Sequence, residues 1–338
     1  MNDQKGMTVL VAGAGVFGLA IALALARAGA AVRLIDPTGG TDSASAIAAG
    51  MLAPAFEAAL DAHSAGHFAL LRRARDLWPA FAEDLGPTGL VPCGATMTAA
   101  ADVLARAAAG LAREGASFET IPGGLFTSED WRIEPSMALA AMRARLSDLG
   151  GRLIAGTVTT AEAKAVTLAG GERLTGEAVV LACGYAGLGL AAELAVLAPI
   201  KGQILRYDVG ALNGGPILRG EAGYVVPSPS GPAAGATMQA GVSDRDLEPD
   251  VIRLLTAQAE RLAPTLAGRK PAAFAGVRPA TPDGLPLIGQ AESGVWLASG
   301  ARRNGWLLAP LAAALTLQGL TGGAVEPAFA PGRFSLRR

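Results

Sequence analysis

The N-terminal stretch ending at Asp36 constrains the fold of this chain more than any other feature. Thr8–Ala12 is an apolar run typical of a buried strand, the turn 13–18 has the spacing G-x-G-x-x-G, and 19–28 consists of small and aliphatic residues typical of a helix. A second apolar run, 31–35, leads into Asp36. The order strand, glycine-rich loop, helix, strand and acid predicts a βαβ unit with its glycines in the first loop.

The three glycines and the acid suit a dinucleotide. Gly13 permits the tight turn, Gly15 lets a pyrophosphate approach the backbone, and Gly18 lets the helix lie close on the strand. The helix N-terminus offers N–H groups and a positive dipole end to the phosphates. Asp36 is placed to accept hydrogen bonds from ribose hydroxyls, and its charge disfavours a 2′-phosphate, so NADP is disfavoured.

Two other interpretations of this stretch are weaker. Residues 9–26 carry no charge and approach the ~20 residues of a transmembrane helix. The repeated glycines and the flanking Arg27, Arg33 and Asp36 favour the βαβ unit instead. A signal peptide is disfavoured because Asp3 and Lys5 make a poor basic leader and the apolar stretch continues into an acid-capped strand.

Composition narrows the class of protein. The 338 residues are 51% hydrophobic and 17% charged, with a net charge of −1, which allows a sizeable core and gives no sign of nucleic-acid or membrane binding. Cys93 and Cys183 lack C-x-x-C spacing, so we expect reduced thiols and a cytoplasmic location. His63 and His67 are four residues apart but lack the glutamate of H-E-x-x-H, so no metal site is expected.

After Asp36 the chain does not continue into a second βαβ repeat. The C-terminal region instead predicts a strand at 295–299, a loop at 300–305 and a helix at 306–320, whose N-terminus points at a ligand as the first helix does.

Cys183 is expected to be a small buried residue and not a nucleophile. Between these ends we expect a small-residue loop at 39–54, a surface helix at 68–85 with Arg72, Arg73, Arg75 and Asp76 outward, strands at 90–98, 152–160, 163–168 and 178–182, and helices at 99–114, 136–149 and 247–266.

Four segments resemble the D-amino-acid-oxidase-like flavoproteins, most closely their glycine oxidases. The match runs through the whole chain in order, and the segment 199–203 is similar to the segment with which that family crosses between its domains. The four segments are GAGVFGLA at 13–20, AAGMLAP at 48–54, the strand pair 223–227 with 235–238, and RPATPDGLPLIG at 278–289 together with SGARRNGWLLAP at 299–310.

The resemblance implies an α/β fold with a Rossmann-like FAD-binding domain and an inserted antiparallel-sheet substrate domain. The FAD-binding domain is expected at 1–84, 136–198 and 276–338, and the substrate-binding domain at 85–135 and 199–275. FAD is expected to bind non-covalently, since the C-terminal region has no cysteine to tether it. The expected cofactor-binding residues are Gly13, Gly15, Val16, Phe17, Gly18, Asp36, Ser43, Ser45, Ala49, Gly50, Met51, Val158, Ala182, Cys183, Gly184, Arg278, Gly300, Arg303, Asn304, Gly305, Trp306 and Leu307.

The resemblance also implies the catalytic residues. Arg303 matches the arginine that binds the substrate carboxylate, Tyr224 matches the tyrosine that helps to hold it, and Met51 and Met238 match residues that line the small pocket. Arg278 is expected either to assist or to pair with Asp283.

Two departures leave the substrate open. Ala222 stands where the family has a histidine, and Arg302 replaces a more usual aromatic residue. The second guanidinium either favours a more acidic substrate or faces solvent.

The implied activity is oxidative deamination of glycine or a small amino acid, with oxygen as the electron acceptor. The alternatives are a dehydrogenase of D-amino acids or secondary amines that uses another acceptor, a non-catalytic flavin-binding protein, and an NAD-dependent dehydrogenase. The sequence is compatible with a homo-oligomer but does not fix the oligomeric state.

Overall fold

The computed structural model describes residues 6–208 and 210–334. Its helices are α1 Val16–Arg27, α2 Ala44–Ile47, α3 Pro54–Leu60, α4 Phe68–Asp76, α5 Trp78–Ala82, α6 Ala101–Glu114, α7 Pro135–Asp148, α8 Pro249–Leu262 and α9 Gly305–Leu320. Its strands are β1 Thr8–Ala12, β2 Ala31–Ile35, β3 Met51–Leu52, β4 Ala95–Thr98, β5 Glu119–Ile121, β6 Gly124–Thr127, β7 Trp131–Arg132, β8 Arg152–Ile154, β9 Val158–Glu162, β10 Ala165–Leu168, β11 Arg173–Thr175, β12 Ala178–Leu181, β13 Ala198–Arg206, β14 Ile217–Arg219, β15 Tyr224–Val226, β16 Ala233–Gly235, β17 Gln239–Ala240, β18 Ala272–Ala280, β19 Leu287–Gln290 and β20 Trp296–Ser299.

A six-stranded sheet contains the predicted βαβ unit. Its order is β19-β20-β12-β1-β2-β8, all neighbours pair in parallel except β19 with β20, and β1 lies inside. Strand β1 is buried from Val9 to Ala12, as expected of a parallel strand covered on both faces. The predicted α/β fold with a Rossmann-like unit is confirmed.

The packing of helix α1 explains why it consists of small and aliphatic residues. It packs against α7, α9 and β2, and ten of its twelve residues are buried. Small side chains allow such close packing on several sides, and the apolar run that resembled a membrane span is thus accounted for by the protein core. Within 6–208 and 210–334, no helix combines the length and apolar character that crossing a bilayer requires.

A second sheet of nine strands carries the other half of the molecule. Its order is β17-β13-β16-β15-β14-β4-β6-β5, and β18 pairs with β13 along the full length of both strands, from Ala198–Ala280 to Arg206–Ala272. Most of its pairings are antiparallel, while β4 and β14 run parallel. Helix α8 packs on β13, β15 and β16. The expected domain junction at 276 falls in the middle of β18, which pairs with β13 along its whole length.

The structure corrects several element boundaries. The helix expected at 68–85 is split into α4 and α5, because Pro79 stands where a continuing helix needs a backbone donor. Arg75 was expected to face outward but is buried, donating to Glu129 and lying over the Trp131 ring. The strand expected at 152–160 is two strands, β8 and β9, in different sheets.

Candidate active site

Two adjoining cavities lie where the two sheets meet. The larger is a cleft of about 500 Å³ at the carboxyl ends of β1, β2, β12 and β20. The smaller is a pocket of about 80 Å³, with space for only a few heavy atoms, between α3 and strands β13, β15 and β18. Both are lined by Ala44, Ala48, Gly276, Arg278, Arg303 and Trp306, so a ligand in the cleft can present its end to the pocket.

The glycine-rich loop forms the floor of the cleft, and each glycine has a different role. Gly13 has φ +97°, and a Cβ there would lie 2.4 Å from the Ala182 carbonyl oxygen. A Cβ on Gly18 would lie 1.7 Å from the Gly13 oxygen, so this glycine is what lets α1 approach the loop. A Cβ on Gly15 would meet only Ser45 Oγ at 3.3 Å and would otherwise occupy the cleft. This loop fits a pyrophosphate that approaches the backbone at Gly15.

Asp36 lies at the end of β2 and lines the cleft. Its Oδ2 accepts from Ala14 N at 2.9 Å, and its Oδ1 accepts from Thr38 N at 2.8 Å and Gly40 N at 2.9 Å. The carboxylate therefore ties the glycine-rich loop to the loop that follows β2. Its position at the strand end is the one expected for a ribose ligand.

Most of the predicted cofactor-binding residues line one of the two cavities. Gly18 and Leu307 do not, since Gly18 acts in helix packing and Leu307 is buried in the core. Those that line the cleft are Gly13, Gly15, Val16, Phe17, Asp36, Ser43, Ser45, Val158, Ala182, Cys183, Gly184, Arg278, Gly300, Arg303, Gly305 and Trp306, and those that line the pocket are Ala49, Gly50, Met51, Arg278, Arg303, Asn304 and Trp306. The extended cleft with its glycine-lined floor fits a dinucleotide cofactor.

Burial raises the pKa of the Cys183 thiol to about 12. We expect native protein to resist alkylation of this thiol by iodoacetamide at pH 8, since very little of it would be thiolate. Mass spectrometry of native and denatured samples measures the labelling. Rapid labelling of Cys183 in the native protein would contradict its assignment as an inert cleft residue.

The small pocket brings together the predicted substrate-binding side chains. Tyr224 from β15, Arg278 from β18 and Arg303 from the loop before α9 all line it, as do Met51 and Met238. Small or apolar residues complete the wall, among them Ala49, Ala53, Ile204 and Ala236. Burial raises the pKa of the Tyr224 hydroxyl, so this group remains a neutral hydrogen-bond donor.

Glu57 is a pocket residue that the sequence analysis missed. Its side chain is 5% exposed, and its carboxylate bridges two arginines. Arg303 Nη2 donates to Oε1 at 3.1 Å with its Nε 3.0 Å from Oε2, and Arg219 Nη2 donates to Oε1 at 3.1 Å. Glu57 is the chief cause of the raised pKa of Arg303. A lone acid in the apolar segment PAFEAAL was the signal available in the sequence.

Arg278 differs from Arg303 in its partners. Its Nη1 donates to the Thr237 carbonyl at 3.2 Å and contacts Met238 Sδ at 3.6 Å. In the described part of the chain no carboxylate forms an ion pair with it. Partial burial lowers the pKa of Arg278, as expected of a guanidinium that has no ion-pair partner. The alternative pairing with Asp283 is wrong, since Asp283 pairs with Arg333.

The second guanidinium at the pocket mouth, Arg302, is also engaged. It has φ +50°, its side chain is 12% exposed, and it forms an ion pair with Asp61. Arg302 lines the cleft but not the small pocket. The expectation that Arg302 faces solvent is therefore wrong, since its guanidinium is held in an ion pair with Asp61.

Comparison with known proteins identifies a family. The model of the family described as FAD dependent oxidoreductase (DAO) matches residues 8–318. The glycine oxidase of Geobacillus kaustophilus is 29% identical over 353 residues, with 90% of each chain covered. The bifunctional protein ThiO/ThiG of a Nostoc species is 33% identical over 91% of this chain, which spans only 51% of that protein. The match to Pseudomonas aeruginosa glycine oxidase, 33% identical, covers less than half of either chain.

Solved structures agree with the sequence matches. The crystal structure of Geobacillus kaustophilus glycine oxidase superposes with a TM-score of 0.84 at 26% identity, covering 98% of this chain and 99% of that one. Iminodiacetate oxidase from a Chelativorans species shares the fold, with a TM-score of 0.83 at 20% identity over 96% of this chain and 98% of that one. The chain therefore belongs to the DAO family of FAD-dependent oxidoreductases.

Proposed function

We propose that this protein catalyses oxidative deamination of glycine or a comparably small amino acid, yielding a 2-oxo acid, ammonia and hydrogen peroxide. One observation carries the proposal: Arg278 is a half-buried guanidinium with no carboxylate partner in the described chain, and it lines a small pocket beside Tyr224. A substrate carboxylate is the counter-ion that such a pocket requires.

Arg278, not Arg303, is the better candidate for the carboxylate-binding residue. Arg303 already shares the Glu57 carboxylate, so a substrate would have to compete for it. The Tyr224 hydroxyl, which borders the same pocket, would donate a second hydrogen bond to the carboxylate. Two such contacts fix the orientation of a molecule that has almost no side chain.

The apolar wall of the pocket determines the protonation state of the substrate amine. Alanine, isoleucine and methionine side chains disfavour a charged ammonium there, so the substrate is expected to react as the neutral amine. Neither His63 nor His67 lines the pocket, and Glu57 is held between two arginines. The amine nitrogen can thus supply its own lone pair as the Cα hydrogen leaves, without a side-chain base.

When bound, FAD supplies the redox chemistry by accepting the hydride equivalent and passing the electrons to oxygen. The chain's own contribution is to hold and orient. The Gly13–Gly18 loop, the α1 N-terminus and Asp36 would hold the nucleotide end. Helix α9 begins at Gly305, on the cleft wall next to the pocket-lining Asn304, so its positive dipole end favours the negative charge gained on reduction.

The deciding experiment is an anaerobic visible spectrum of the purified protein before and after addition of glycine. We expect a yellow protein that bleaches with glycine and recovers its colour in air with formation of peroxide. Bleaching with recovery only on addition of an artificial acceptor would identify a dehydrogenase instead. A yellow protein that no small amine bleaches would indicate a flavin-binding protein without this activity.

A further inference from the structure

Glu57 stands out because it lines the substrate pocket and also forms ion pairs with two arginines. Its carboxylate oxygens lie within 3.1 Å of donor nitrogens of Arg219 and Arg303. Nothing in the proposed deamination uses this carboxylate. Its position therefore requires a separate explanation.

The backbone fixes Glu57 in place. It is the fourth residue of α3, which begins at Pro54, and the buried carboxylate of Asp130 accepts from Ala55 N at 2.8 Å and Phe56 N at 3.4 Å at that helix start. Arg219 is held in turn over the Phe56 ring, 5.4 Å from its centroid. Few rotamers are open to a side chain bound on both sides in this way.

The arginines at the pocket therefore differ in how free each one is to bind a substrate carboxylate. Arg219 and Arg303 share the single negative charge of Glu57, whereas Arg278 has no acidic partner in the described residues. The Arg303 side chain is 27% exposed and lines both the pocket and the cleft, so it is the next cation that a second acidic group on a substrate would reach.

We infer that Glu57 is a specificity-determining residue that restricts this site to amines with a single carboxylate. It does so by occupying Arg303 and by placing a negative charge where the second carboxylate of a dicarboxylic amine would lie. Like charges brought together in a desolvated site oppose binding strongly, while Arg278 still serves one carboxylate. The inference rests on the proposed function, because it concerns the substrate class of the same pocket.

The test compares wild type with Glu57→Gln on glycine and sarcosine against iminodiacetate and D-aspartate. The amide keeps the shape, loses the charge and releases Arg303. We expect kcat/KM for the dicarboxylic amines, relative to glycine, to rise about tenfold or more in the variant. Adding Arg303→Met to Glu57→Gln should abolish the gain. Glu129→Gln, which removes the partner of Arg75 away from the pocket, is the matched control and should leave the ratio unchanged.

A ligand-binding readout keeps the inference testable if the variant does not fold. Acetate and malonate are titrated into oxidised wild-type holoprotein, and the perturbation of the flavin absorbance is followed. We expect acetate to bind more tightly than malonate. Tighter binding of malonate, wild-type turnover of iminodiacetate equal to that of glycine, or an unchanged ratio in folded Glu57→Gln would each overturn the inference. Failure of every amine to bleach the flavin, with acetate still preferred, would instead count against the proposed function alone.

Discussion

Replacing Arg278 with methionine is expected to lower kcat/KM for glycine by about 10²- to 10⁴-fold. The variant leaves a substrate carboxylate in a buried pocket without its cation, and removing one partner of a buried charge pair costs about 3–5 kcal/mol. Most of the loss should fall on KM, because the carboxylate contact is made before and during the reaction. Steady-state oxygen consumption with glycine, normalised to bound FAD, measures the effect.

Arg303→Met is the matched control, because it removes a guanidinium from the same pocket. Arg303 is already paired with Glu57, so its loss should cost about tenfold or less in kcat/KM through disturbance of that pair. Acetate binding to the oxidised flavoprotein should disappear in Arg278→Met and persist in Arg303→Met. The reverse ranking of the two variants would return the carboxylate-binding role to Arg303.

The difference between these two arginines shows where sequence reasoning reaches its limit. The segments RPATPDG and ARRNG each offer an arginine to the same pocket, and nothing in their local pattern ranks them. The ranking depends on Glu57, which is 246 residues from Arg303 in sequence and faces it only after folding. Partners that meet through tertiary structure are not encoded in any local spacing.

More of the cofactor cleft than of the substrate pocket could be predicted from the sequence, because the residues that form the cleft's loop lie close together in the chain. The turn at Gly13, the close approach at Gly18 and the acid at Asp36 all lie within one βαβ unit, so their spacing alone specifies a dinucleotide site. The second sheet was less predictable. Its strand β18 pairs with β13 across more than 60 residues of intervening chain, so the boundary expected at 276 fell inside a strand.

The second large effect is expected at Gly18, where alanine should destabilise the protein and abolish FAD retention. A Cβ at this position would lie 1.7 Å from the Gly13 carbonyl oxygen, which is backbone and has little freedom to move. Helix α1 would have to shift away from the loop, and such overpacking costs about 1–3 kcal/mol, toward the upper end here because the obstructing atom is backbone. Thermal unfolding of the apoprotein, followed by circular dichroism, measures the loss of stability.

Gly15→Ala separates folding from cofactor binding in the same loop. Its Cβ would meet only Ser45 Oγ, at 3.3 Å, so the apoprotein should unfold at nearly the wild-type temperature. The methyl group would instead point into the cleft where the pyrophosphate must approach the backbone, and FAD affinity should fall about tenfold or more. Equal loss of stability in both variants would mean that Gly15 serves packing and not the cofactor. Unchanged FAD affinity in Gly15→Ala would mean that the pyrophosphate does not lie against this turn.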